Sequence, residues 1–215
     1  MPSHNIMKFI KQLNRPIFTT YELTANSGKS RSTTTQALNY LVRQSLIIKI
    51  CRGIWVESGN DKVSQYSIIP FLISRQRVYV SFISALHLYG IIEQIPQVIT
   101  LASTSHTRVI TTKLGTFSIH QISPKFFKGF DWYKGEGSFL IAEPEKALVD
   151  TLYLSAHKKR QFLHFPELNF PKSFSFKKVK LWINNIPNPK TRHNVESKIV
   201  EILKQSNLRH HRDTR

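Results

Sequence analysis

Residues 19–56, TTYELTANSGKSRSTTTQALNYLVRQSLIIKICRGIWV, decide how the chain is read. Thr19 stands as an N-cap, Glu22 three residues on closes a capping box, and Phe18 with Leu23 forms a hydrophobic staple. The helix they start runs to about Asn26, and Ser27-Gly28-Lys29 makes a turn. Ser30 caps a longer helix that reaches about Gln44. In it Ala37, Leu38, Leu41 and Val42 form one apolar stripe, while Ser32, Thr33, Gln36, Asn39, Tyr40 and Arg43 occupy the opposite face. Residues 46–50 and 54–56 read as two short strands joined by Cys51-Arg52-Gly53.

Working outward toward the N-terminus, Ile6, Phe9, Ile10 and Leu13 fall at i, i+3, i+4 and i+7 of a first helix, which Arg15-Pro16 ends. Three helices followed by a basic hairpin predict a winged helix-turn-helix over residues 1–60. A solvated helix face usually carries Glu and Lys. This one carries Ser, Thr, Gln, Asn and Arg and no acid, the residue types that hydrogen-bond base edges and phosphates. The expected DNA-binding set is Lys29, Ser30, Arg31, Ser32, Thr33, Gln36, Asn39, Tyr40 and Arg43, with Lys49 and Arg52 from the hairpin. Gly28-Lys29-Ser30 resembles the end of a phosphate-binding loop only superficially. The required glycine five residues earlier is Leu23, and a helix precedes the turn where that loop needs a strand.

The charge agrees with a polyanionic partner: 31 Lys and Arg against 13 Asp and Glu give +18 over 215 residues. Its distribution is uneven. Residues 1–60 carry eight basic and two acidic side chains, 61–156 nine and seven, and 157–215 fourteen and four. The lone cysteine, Cys51, excludes an internal disulfide and a cysteine-cluster zinc site, and reads as a small wing or core residue. No stretch approaches a membrane span, and the start MPSHNIMKFIKQ lacks a signal peptide's apolar run, so a cytoplasmic protein is expected.

From Val78 onward the pattern mixes helix and strand. Residues 81–89 suit a helix ended by Gly90; 98–102, 108–113, 116–122 and 138–141 suit strands; 144–156 suits a helix. The fold class predicted is α+β: an N-terminal winged helix-turn-helix at 1–60, a connector at 61–77, a mixed α/β domain at 78–208 and a basic tail at 209–215.

Three stretches resemble the AbiEi antitoxins of type IV toxin-antitoxin (abortive infection) systems. They are ALNYLVRQSLIIKICRGIW at 37–55, SFISALHLYGIIEQIPQVITLAS at 81–103 and IAEPEKALVDTLYL at 141–154, and the resemblance spans roughly residues 5–170. It implies a repressor of its own operon, acting on double-stranded operator DNA with inverted repeats. It also implies that residues 78–208 are an antitoxin domain, one that counters a nucleotidyltransferase-like toxin without forming a stable complex.

Other constellations are weaker. Glu143, Glu145, Lys146 and Asp150 form the densest acidic cluster, but their order does not fit a carboxylate nuclease. With Pro144 at the first helical position, they read as a helix start whose acids favour the positive end of the dipole. None of the nine histidines lies at a metal-ligand spacing on one helix, and His87 reads as a core or interface residue. No nucleophile elbow is present. Neither a catalytic residue, a metal nor a cofactor is expected. The basic end offers a second surface for an antitoxin contact or for phosphate, built from Lys177, Lys178, Lys180, Arg192, Lys198 and Lys204, with Val195, Ile199, Ile202 and Leu203 as the apolar face of a final helix. The alternatives that remain are a metal-dependent nuclease or an RNA-binding module using the C-terminal domain.

Overall fold

A computed structural model of the chain describes residues 2–59, 63–73, 76–135, 138–157 and 167–210. Its first elements are α1 (Pro2–Gln12), β1 (Ile17–Thr19), α2 (Thr20–Ser27), α3 (Arg31–Arg43), β2 (Ile47–Cys51) and β3 (Ile54–Glu57). A 3-10 turn at Gln65–Ile68 and the short α4 (Ile69–Leu72) follow. The remaining elements are β4 (Val78–Val80), α5 (Phe82–Leu88), β5 (Ile99–Ser103), β6 (Arg108–Thr112), β7 (Gly115–Gln121), β8 (Phe130–Trp132), β9 (Leu140–Ala142), α6 (Pro144–His157), α7 (Phe176–Asn184) and α8 (Pro189–His210). The class is mixed α+β, with eight α-helices and two sheets among the described residues. The expected connector at 61–77 and tail at 209–215 lie partly outside those residues.

The chain falls into two compact units. Met1–Arg75 forms the first together with Ile110–Thr116 and Gly135–Ser138; Gln76–Val109, Phe117–Lys134 and Phe139–Arg215 form the second. In the first unit the capping box is present: the Thr19 hydroxyl accepts the Glu22 N–H at 3.2 Å, and the Glu22 carboxylate accepts the Thr19 N–H at 2.9 Å. Gly28 ends α2 in the left-handed region at φ 64°, which a glycine adopts without a Cβ penalty. Ser30 then caps α3 by accepting the Thr33 N–H at 3.1 Å. The apolar stripe of α3 meets α1 and α2: Ile6, Ile10, Phe18, Leu23, Ala37, Leu38, Leu41, Ile47 and Trp55 form one buried cluster. Each large side chain so buried stabilises the unit by about 1.5–3 kcal/mol before entropy is counted.

The sheet of this unit has the order β1-β3-β2, all antiparallel. The β2–β3 hairpin agrees with the sequence reading, whereas β1 is an addition: its three residues pair with β3 in the register Phe18↔Trp55. The Trp55 indole N–H donates to the Thr20 hydroxyl at 2.8 Å inside the core, and so ties the sheet to α2. The ladder register shifts between Lys49 and Cys51, so Ile47 and Ile50, three apart, are both buried while Ile48 and Lys49 face outward.

The second sheet has the order β6-β7-β5-β4-β9-β8 and mixes parallel pairs (β5–β7, β4–β9) with antiparallel ones (β4–β5, β8–β9). α6 is buried along most of its length and packs against α5, α7 and α8. Phe82, which opens α5, has φ 57° and a fully buried side chain; a left-handed non-glycine residue costs about 1–2 kcal/mol, which the burial of its ring offsets. Among the described residues no helix is long and apolar enough to cross a membrane.

Candidate nucleic-acid interface

The outward face of α3 is an exposed polar surface of the first unit. Ser32, Gln36, Asn39, Tyr40 and Arg43 are all exposed and recur at steps of three and four, which aligns them as one stripe along the helix. Thr34, Ala37, Leu38 and Leu41 are buried opposite them. The stripe offers amide, hydroxyl and guanidinium groups free of competing acids. The nearby Glu22 is spent on the capping box and on an ion pair with Arg15.

Not every residue expected on this surface is equally available. Ser30 and Thr33 hydrogen-bond each other through their hydroxyls at 2.9 Å, and Ser30 also holds the helix N-terminus, so these two serve the cap first. Lys29 is half-buried in the turn before α3, and Arg31 is exposed at its first position. In the hairpin, Arg52 is exposed at the turn between β2 and β3. Lys49 is exposed too, with its ammonium 5.4 Å from the centroid of Trp55, its partner across the ladder. Cys51, beside Arg52, is half-buried: burial pushes its thiol up, opposed by the Lys49 charge, and keeps it protonated at neutral pH.

Two residues of this unit escaped the sequence reading. Tyr21, in the first turn of α2, is 82% exposed, the most exposed large hydrophobic side chain described. Its signal was available, since it lies two residues past the N-cap and outside the staple. Lys113 comes from far along the sequence but belongs to the first unit, where its N–H donates to the Ile50 carbonyl at 3.2 Å. Nothing in its local sequence announces that position.

The basic residues expected at the C-terminal end divide into two groups. Lys177, Lys178 and Lys180 are exposed on α7, which has no acidic residue; Lys178 lies 3.9 Å from Glu143. Arg192 instead donates from Nε and Nη2 to the Ile186 carbonyl at 3.2 and 2.8 Å, just after α7, and Lys198 donates to the Ser155 hydroxyl at 2.7 Å. These two side chains pack helices together. Lys204 is exposed on α8, interleaved with the exposed Glu196 and Glu201. The α8 apolar face is as expected, with Val195 and Ile199 buried and Ile202 and Leu203 half-buried.

The cluster at the start of α6 is partly a helix start and partly something else. Glu145, buried in the first turn, accepts the Ser175 N–H at 2.9 Å and so connects α6 to the start of α7. Lys146 and Asp150 form a fully buried ion pair one turn apart. Asp150 also accepts from the Ser81 hydroxyl at 2.7 Å and the Tyr79 hydroxyl at 3.1 Å, and Lys146 donates to the Tyr79 oxygen at 3.2 Å. The Lys146 ammonium lies 3.8 Å from the Phe126 ring centroid, with Tyr79 and Trp182 farther off. Burial draws the Lys146 ammonium down, opposed by Asp150; burial and Asp150 together push the Tyr79 phenol well up and keep it a donor. Tyr79, Ser81, Glu145, Lys146 and Asp150 are each closed off from solvent, so they join β4, the start of α5 and α6 from within, whereas Glu143 stays partly exposed. Among the described residues no group of three or more His, Cys, Asp or Glu is placed to hold a metal ion. His87 is half-buried, with Nδ1 3.4 Å from the Ile92 carbonyl.

Compared with family models and with curated proteins, the chain matches none of either.

Proposed function

We propose that the first unit is a winged helix-turn-helix that binds duplex DNA through α3, and that the protein is a transcriptional repressor of its own operon. The observation that carries this reading is the α3 stripe: five exposed side chains, from Ser32 to Arg43, that suit base edges and phosphates, on a helix without an acid. Gln36, Asn39 and Arg43 face base edges in the major groove, Ser32, Thr33 and Tyr40 meet phosphates, and Lys29, Arg31, Lys49 and Arg52 hold the backbone on either side. The operator is double-stranded and carries inverted repeats.

The second unit is proposed to be the antitoxin of a nucleotidyltransferase-like toxin, countered in the cytoplasm without a stable complex. Support for that half is the resemblance of residues 81–103 and 141–154 to AbiEi antitoxins. The exposed lysines of α7 are its candidate surface. Two experiments test the two halves separately. In a mobility-shift assay, the purified chain retards a duplex taken from upstream of its own reading frame at lower concentration than a scrambled duplex; equal retardation removes the repressor assignment. Co-expression with a nucleotidyltransferase-like protein from the adjacent reading frame restores growth; continued growth arrest removes the antitoxin assignment.

A further inference from the structure

We propose that the turn of the β6–β7 hairpin is a second arm of the wing, and that Lys113 at its tip contacts the DNA backbone beside Lys49 and Arg52. The inference rests on the DNA-binding reading of α3 and deepens it. In the order β1-β3-β2 the strand β2 is an edge, so its outer carbonyls are open to another chain segment. Lys113 takes that place: its N–H donates to the Ile50 carbonyl at 3.2 Å, two residues before Arg52.

The tip is built as a fixed presenter. The Thr112 hydroxyl accepts the Leu114 N–H at 3.1 Å and donates to the Gly115 carbonyl at 2.9 Å, which closes the turn around Lys113. Gly115 has φ 144°, and a Cβ there would lie 2.9 Å from the Gln65 Oε1, so the turn also rests against residue 65 of the same unit. The Lys113 side chain is left exposed, and the part of the hairpin in the first unit, Ile110–Thr116, carries no acid. A neighbour chosen only to shield a strand edge needs no such charge. An exposed cation whose backbone is tied to Ile50, one residue from Lys49 and two from Arg52 along β2 and its turn, has a ready occupant in the phosphate backbone.

The test is fluorescence anisotropy of the full-length chain on labelled random-sequence and upstream duplexes across a salt series, for the unaltered protein, Arg52→Ala and Lys113→Ala. Lys113→Ala is expected to reduce the slope of log K against log salt by about 0.9, and to weaken both duplexes alike by about fivefold at physiological salt. If Arg52→Ala lowers the slope and Lys113→Ala keeps the unaltered one, the hairpin is no arm of the wing and this proposal alone is overturned. If the unaltered chain binds neither duplex, the DNA-binding reading fails and takes the proposal with it. Lys113 is exposed and its backbone bond survives truncation, so circular dichroism of the variant is expected to match the unaltered chain.

Discussion

Replacing Lys146 by methionine strands the Asp150 carboxylate in a site with no exposed surface, where, among the described residues, the Ser81 and Tyr79 hydroxyls, at 2.7 and 3.1 Å, still donate to it. Breaking one side of a buried pair costs about 3–5 kcal/mol, because the surviving charge has lost its compensation. Asp150→Leu is the costlier single change. It leaves the ammonium against the Phe126 ring and the Tyr79 oxygen, and it also removes the acceptor of two buried hydroxyls, each worth about 1–3 kcal/mol when unpaired. The double variant carries neither charge, so its loss reduces to the two hydroxyls and falls short of the summed single losses by at least about 2 kcal/mol. Against a total stability of about 5–15 kcal/mol, these are large fractions. Urea unfolding of all four proteins, followed by far-UV circular dichroism and tryptophan fluorescence, measures the cycle. Single changes that add to within about 0.5 kcal/mol would refute the claim that the two charges compensate each other.

Two further outcomes follow from the same reasoning. Thr20→Val leaves the buried Trp55 indole N–H without its acceptor, and thermal unfolding should report a loss of about 1–3 kcal/mol, a change that a solvent-exposed threonine would not give. Tyr89, whose hydroxyl donates to the Ala142 carbonyl, is pushed up to about 12, chiefly by burial and then by the nearby Tyr133, Glu143 and Glu145. Its folded value lies above the unfolded value of about 10. Its contribution is therefore complete below about pH 10 and is lost as the pH rises toward 12; urea midpoints in that range should fall less steeply for Tyr89→Phe.

What the sequence displays of this molecule is local. The α2 and α3 boundaries follow from Thr19, Glu22, Gly28 and Ser30, because a cap is a contact between residues two to four apart. The α3 stripe is legible for the same reason: one helix period places all its members. Features made by distant pairing are not. β1 is three residues long and exists because β3 offers it a partner, and the bulge at Lys49 hides the alternation that would place Ile50 inside. Lys146 and Asp150 show as two charges in an apolar helix, yet Tyr79 and Ser81 lie some seventy positions away, so the sequence suggested a helix start where the fold builds an internal network. Arg192 and Lys198 read as free cations because helical spacing says nothing about which carbonyl or hydroxyl waits on the neighbouring segment.

The central claim is that α3 reads bases while the wing holds phosphates, and one comparison tests it most directly: binding of Gln36→Ala, Arg43→Ala and Arg52→Ala to the upstream duplex and to its scrambled counterpart at one salt concentration. Gln36→Ala and Arg43→Ala are expected to lose about 1–3 kcal/mol, roughly 5- to 150-fold, on the upstream duplex and to narrow its advantage over the scrambled one. Arg52→Ala is expected to weaken both duplexes equally. Undiminished binding of the upstream duplex by all three variants would contradict the account.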